Sequence, residues 1–198
     1  MLLNELLRGH RIILVSQSPR RNDLLKGLDI QFEIIVKQGI NEDYPPELGM
    51  MEIPAFLARK KSDYYNDLLD EKTIVITADT IVWINQHVIE KPADFEEAVK
   101  MISEISGNMH EVVTGVCLRS SDKNKVFTSV SKVWFRALTT EEIFYYVKNY
   151  KPYDKAGAYG IQDWIGYAGI ERIEGSFYNV MGLPVQALYK ELAEFIEV

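Results

Sequence analysis

The sequence predicts an α/β protein: a long, twisted mixed sheet flanked by helices. Two observations carry that expectation. Apolar strand-like runs alternate with segments of helical period, and two long runs flank one short polar turn, which reads as a hairpin inside an otherwise alternating chain. Nothing divides the 198 residues: there is no repeat, no low-complexity stretch and no linker rich in Pro, Gly or Ser. A single domain over 1–198 is therefore expected.

The elements follow in order. "RIILVS" (11–16) is a strand that ends in a serine-rich turn, and Ser18 and Pro19 read as the N-cap and first residue of the next helix, which stops at Gly27. "QFEIIV" (31–36) reads as a second strand. A helix begins near Pro54 and runs through "AFLARKKSDYYNDLL". "KTIVITADTIVWIN" (72–85) is a long strand, with Asn85-Gln86 as the turn into a short hairpin partner. "DFEEAVKMISEIS" (94–106) is a helix closed by Gly107. "HEVVTGVCLR" (110–119) and "KVFTSVSKVWFRAL" (125–138) flank the turn "SSDKN". Thr139 and Glu142 form a capping box for the next helix, and a last helix follows Pro184.

Composition removes several function classes. A net charge of −7 argues against a general nucleic-acid binder, which needs a basic face. No run approaches membrane-spanning length, and "MLLNELLRGHR" is too short and polar for a signal peptide, so a cytoplasmic protein is expected. The single cysteine, Cys117, lies in an apolar run and reads as a small hydrophobe. His10, His87 and His110 have no metal-ligand spacing, and there is no nucleophile elbow.

Polar residues inside apolar runs are more informative. Arg20 and Arg21 fall in the first turn of a helix, where the macrodipole disfavours cations. An anion held among them reverses that sign, because helix N-termini bind phosphate; the alternative is that both side chains reach into water. Asp79 and Thr80 interrupt a strand of Val, Ile and Trp. A carboxylate there costs several kcal/mol unless it is paired, hydrogen-bonded or bound to a metal. Glu90 follows the short strand that pairs with the Asp79 strand, and Glu42 lies in "INEDYPPE". Two or three such carboxylates favour a hard cation such as Mg²⁺, whereas each glutamate alone reads as a solvated loop charge. The segment 153–184 carries six glycines, with Lys155 as a point charge for phosphate, and matches neither a Walker A loop nor a dinucleotide fingerprint. It reads as a long loop, and loops of that length are usually functional.

"SQSPRR", "NED", "LARKKS", "ADTIV", "EKP", "SG", "HEVVTGV", "DKAGAYGIQ" and "EGSFYNVMGLP" occur in this order. Together they resemble the Maf family of nucleoside triphosphate pyrophosphatases, from Ile12 to the final helix. The resemblance implies two α/β lobes around a central cleft, similar to inosine triphosphate pyrophosphatases. It implies hydrolysis of dTTP and UTP between the α and β phosphates, with a divalent cation, Mg²⁺ or Mn²⁺, and a possible homodimer. It implies Asp79 as proton acceptor, Arg20, Thr80 and Gln162 as markers of substrate preference, and Ser16, Arg21, Lys61, Lys91 and Lys155 on the phosphates. Glu42, Asp79 and Glu90 are the implied metal ligands. The branch that acts on 7-methyl-GTP carries Glu in place of Gln162, and a regulator of septum formation without catalysis is the reading from another class.

Overall fold

A computed structural model describes residues 1–197, so the last residue of the expected 1–198 span lies outside the described residues. Its strands are β1 (Arg11–Val15), β2 (Glu33–Ile34), β3 (Thr73–Ile84), β4 (His87–Ile89), β5 (Met109–Arg119), β6 (Asn124–Phe135) and β7 (Ile170–Glu174). They form a seven-stranded sheet in the order β2-β1-β3-β5-β6-β7, with β4 paired to β3. β1 runs parallel to β2 and β3, whereas the β3–β4 and β6–β7 pairs are antiparallel, so the sheet is mixed as expected. The helices are α1 (Leu3–Leu6), α2 (Pro19–Lys26), α3 (Glu52–Asp63), α4 (Phe95–Ile105), α5 (Thr140–Tyr150), α6 (Trp164–Gly169), α7 (Phe177–Met181) and α8 (Val185–Glu197).

The chain divides into two compact units. The first comprises Met1–Asp79, Thr114–Ser129 and the chain from Gly182 onward; the second comprises Thr80–Val113 and Val130–Met181. The boundary thus falls between Asp79 and Thr80, in the middle of the motif that interrupts the third strand.

In the first unit β1 is buried at four consecutive residues, Ile12 to Val15, which is the pattern of a parallel strand covered on both faces. Ile13 lies opposite Val75 on one side and Glu33 on the other. Ile13, Val15, Tyr65 and Val75 form a core cluster with Ile35, Ile40, Leu68 and Leu69 packed on it. The backbone of α3 comes so close to β5 that a Cβ at Gly115 would stand 2.3 Å from the Pro54 carbonyl, so only glycine permits this approach. Thr77 Oγ1 donates to the Ala58 carbonyl at 2.6 Å, a second tie between α3 and the sheet.

In the second unit Ala98, Ile102 and Ile105 of α4 recur at helical spacing and pack with Val82, Ile84, Ile89, Val112, Val133, Phe135, Ile143, Tyr146 and Val147. The β3–β4 turn has φ of 48° at Asn85 and 66° at Gln86, the two left-handed residues that a type I′ hairpin requires. The Thr139–Glu142 capping box forms as expected.

Three expectations are corrected. The helix foreseen through "AFLARKKSDYYNDLL" ends at Asp63, and only a separate 3₁₀ turn, Asn66–Leu68, follows it. The strand foreseen over 31–36 shrinks to Glu33–Ile34, both exposed, because only two rungs pair with β1. The segment 153–184, foreseen as a long loop, contains α6, β7 and α7; β7 exists through its pairing with β6, where Ile173 faces Val133 across a ladder that carries a bulge at Trp134/Phe135.

Candidate functional site

The first unit gathers most of the foreseen charges. Ser18 caps α2 by accepting from the Arg21 N–H, and its own N–H donates to Ser16 Oγ at 3.1 Å, so the serine-rich turn is held by its hydroxyls. Arg20 and Arg21 follow on the first turn of α2, both half-buried. Arg21 Nε donates to the Gly182 carbonyl at 2.7 Å and Nη1 to the Ala78 carbonyl at 2.9 Å. The foreseen phosphate ligand therefore also braces the backbone one residue before Asp79. Burial lowers the pKa of the Arg21 guanidinium from its ordinary value, an effect that nearby Asp79 opposes.

Asp79 is buried, and its carboxylate is paired as the sequence argument requires. Lys61 Nζ of α3 lies 2.5 Å from Asp79 Oδ1 and 2.9 Å from Glu42 Oε1. The Lys61 and Asp79 side chains are only 13% and 12% exposed, whereas that of Glu42 is 54% exposed. One ammonium thus bridges two carboxylates, one inside and one at the surface. The adjacent Lys60 pins the loop that carries Glu42: its Nζ donates to the Asp43 carbonyl at 2.7 Å and to Asn41 Oδ1 at 3.3 Å. Sequence reasoning missed Lys60 and Asn41, although both stand beside foreseen residues in "LARKKS" and "NED".

The second unit holds the remainder. Thr80 is half-buried; Glu90 and Lys91 are exposed. The Glu90 carbonyl accepts from the Gly157 N–H at 3.0 Å, which ties "EKP" to the glycine-rich segment. Lys155 Nζ stands 2.8 Å from Asp154 Oδ1 and 3.8 Å from Asp163 Oδ2. Gln162 Oε1 is buried and has no hydrogen-bond partner among the described residues. The same residue lines an open hollow of about 490 Å³ with Ile161, Tyr167, Ile170, Phe177 and Met181.

Of the three foreseen metal ligands, the first unit brings Glu42 and Asp79 together around Lys61, and Glu90 belongs to the second unit. Among the described residues no group of three or more His, Cys, Asp or Glu side chains forms that could hold a metal ion. A pair of carboxylates still fits Mg²⁺, which is commonly bound through one or two carboxylates with substrate phosphates and water completing its shell.

A family model described as Maf-like protein matches residues 11–195. The chain belongs to the Maf-like family. Among its relatives, the dTTP/UTP pyrophosphatase of Parabacteroides distasonis is 53% identical over 191 residues, covering 96% of this chain and 99% of that one. The dTTP/UTP pyrophosphatase of Porphyromonas gingivalis strain W83 is 51% identical, covering 96% and 97%, and that of Bacteroides thetaiotaomicron 49%, covering 94% and 96%. A solved HAM1 protein from Coxiella burnetii matches at 14% identity and a TM-score of 0.48, over 96% of this chain and 100% of that one. No helix among the described residues is long and apolar enough to cross a membrane.

Proposed function

We infer that this chain is a nucleoside triphosphate pyrophosphatase acting on dTTP and UTP in the cytoplasm. It adds water across the α–β phosphoanhydride and releases the monophosphate and pyrophosphate. The observation that carries the reading is the Asp79–Lys61 pair, a carboxylate and an ammonium kept inside at 2.5 Å and joined by Glu42. As a purely structural pair it is poor value, because a buried ion pair seldom outperforms apolar packing. As chemistry it keeps an ionised carboxylate fixed next to Arg20 and Arg21, whose charge suits a polyanion.

Each residue then has a task. Asp79 takes the proton of the attacking water, and Lys61 holds that carboxylate in place. Arg20 meets phosphate oxygens at the start of α2, where free backbone N–H groups add to its charge. Arg21 keeps the Ala78–Asp79 backbone fixed and lends charge at the same helix start. Lys155 and Lys91 supply further point charges to the phosphates. Asp79 and Glu42 would hold a divalent cation, Mg²⁺ or Mn²⁺, which would supply charge neutralisation on the phosphates and a more acidic water. Gln162 addresses the base: its orphaned Oε1 is an acceptor for the ring N–H of uracil or thymine, and its amide N–H₂ donates to the neighbouring carbonyl. The hollow that it lines, mostly apolar with Glu171 and Arg172 in its wall, suits a flat ring with polar edges.

The test is pyrophosphate release from the eight common nucleoside triphosphates and 7-methyl-GTP at one Mg²⁺ concentration. dTTP and UTP are expected to lead, with purines at least ~10-fold lower in kcat/KM, about 1.4 kcal/mol of discrimination. A ranking led by GTP, ATP or 7-methyl-GTP overturns the substrate assignment, and no release from any nucleotide overturns the activity.

A further inference from the structure

Tyr146 is fully buried on α5, although a phenylalanine would fill the same space without a hydroxyl to satisfy. That hydroxyl is used twice. It donates to Asp163 Oδ2 at 2.9 Å and accepts from the Gly160 N–H at 3.1 Å. The same Asp163 oxygen stands 3.8 Å from Lys155 Nζ. The Asp163 N–H in turn donates to the Gly160 carbonyl at 3.0 Å, which closes a tight turn around Ile161 and Gln162. One phenol and one carboxylate therefore tie down both ends of the stretch from Lys155 to Gln162.

The backbone is cut to fit this knot. A Cβ at position 160 would lie 2.5 Å from Asp163 Oδ2 and 3.1 Å from Lys155 Cε, so any larger residue would push the carboxylate away from its partners. The two acidic neighbours of Lys155 differ in kind. Asp154 is nearer, but its side chain is 58% exposed, and an exposed pair of this sort is worth little. The Asp163 side chain is 18% exposed and anchored by a buried donor.

We propose that Tyr146 and Asp163 are positioning residues of the reaction, which hold the Lys155 ammonium for the polyphosphate and the Gln162 amide for the base. The proposal rests on the pyrophosphatase reading above. Neither residue touches the substrate; both act through the turn they fix.

The experiment compares the full-length wild type with Tyr146→Phe and Asp163→Asn, measuring kcat and KM for dTTP and UTP with Mg²⁺ and thermal unfolding of each protein. Tyr146→Phe keeps the ring and deletes only the hydroxyl with its two hydrogen bonds; kcat should fall about tenfold, the worth of two net hydrogen bonds at the lower part of their range. Asp163→Asn keeps an acceptor for Tyr146 but removes the charge that faces Lys155. Its kcat should fall by a similar factor while KM stays level or drops, because one fewer carboxylate repels the polyphosphate. A merely structural role predicts the opposite pattern: a lower Tm with kcat and KM of the folded protein unchanged in both variants, and that result overturns the proposal. A wild type that cleaves no triphosphate overturns the pyrophosphatase reading itself and the positioning role with it. Wild-type activity alongside two variants of unaltered kcat overturns the positioning role alone.

Discussion

Replacing Lys61 by Met tests the central ion pair most directly, because Met keeps most of the aliphatic stem and removes the charge. The structure assigns two contacts to the ammonium, and they do not weigh equally. Asp79 is nearly enclosed, and removing one partner of a buried pair typically costs about 3–5 kcal/mol, since a charge is left behind without compensation. Glu42 is more than half exposed, so its share is under about 1 kcal/mol. The lower end of the first range is appropriate because Asp79 retains some contact with solvent, which gives a loss of about 3 kcal/mol. For a chain of this size that corresponds to a fall in Tm of roughly 6–12 °C. The double variant Lys61→Met/Asp79→Asn carries no charge at either position and should recover most of the loss, so urea unfolding of the four proteins gives a coupling energy of about 2 kcal/mol or more. If Lys61→Met unfolds at the wild-type midpoint, or the second substitution recovers nothing, the pair is not the buried unit described here.

Other consequences are as sharp. Asp79→Asn should fold and lose at least ~100-fold in turnover, the lower end of a general-base contribution; near-wild-type turnover removes Asp79 from the chemistry. Gly115→Ala places a methyl group 2.3 Å from the Pro54 backbone and should cost about 3 kcal/mol by urea unfolding, with activity falling as α3 shifts Lys61; an unperturbed variant would mean that α3 yields freely. Burial pushes the His110 pKa down to about 4 from an ordinary value near 6.5, so the unfolded chain binds the extra proton first and stability should fall as pH drops from about 6.5 to 4, by up to about 3 kcal/mol. His110→Gln should flatten that slope in unfolding measured at pH 7, 5.5 and 4.5, and an unchanged slope assigns it to other groups. Gln162→Glu should depress activity on dTTP and UTP alike, since a carboxylate cannot donate to the base carbonyl.

How much of this was legible in the sequence depends on whether the governing force was local. The Ser18 cap with Pro19, the Asn85-Gln86 turn and the Thr139–Glu142 box are satisfied within a few residues of one another, and all form where the sequence places them. α6, β7 and α7 are five or six residues long, too short for their own propensity to hold them, and β7 depends on β6, some forty residues away. The glycines of that segment read as a loop for the same reason. The site shows the same division. That Asp79 must be paired follows from its place in an apolar strand. That the partner is Lys61 does not, because the pairing needs α3 to be laid against the sheet through Thr77 and Gly115. Lys61 and Arg21, foreseen on the phosphates, also hold Asp79 and the backbone just before it.

That difference bears on how the reaction would be organised. A lysine already bound to two carboxylates would reach a phosphate only by sharing its charge with Asp79 and Glu42. A cation that arrives with the polyphosphate would compete for the same oxygens, and the contact most easily given up is the exposed one with Glu42. Glu42 sits on a loop pinned by Lys60 rather than on a strand, so it can exchange partners with little disturbance to the sheet. Asp79 sits on β3 with its preceding carbonyl held by Arg21, so it cannot. The arrangement thus separates a fixed carboxylate from an adjustable one, with the single charge of Lys61 shared between them and one negative charge left over. On this argument Glu42→Gln should raise the Mg²⁺ concentration needed for half-maximal activity yet keep far more turnover at saturating Mg²⁺ than Asp79→Asn does. Lys60→Ala, which frees the Glu42 loop without removing a charge from the pair, should raise the Mg²⁺ concentration needed for half-maximal activity while leaving the protein folded.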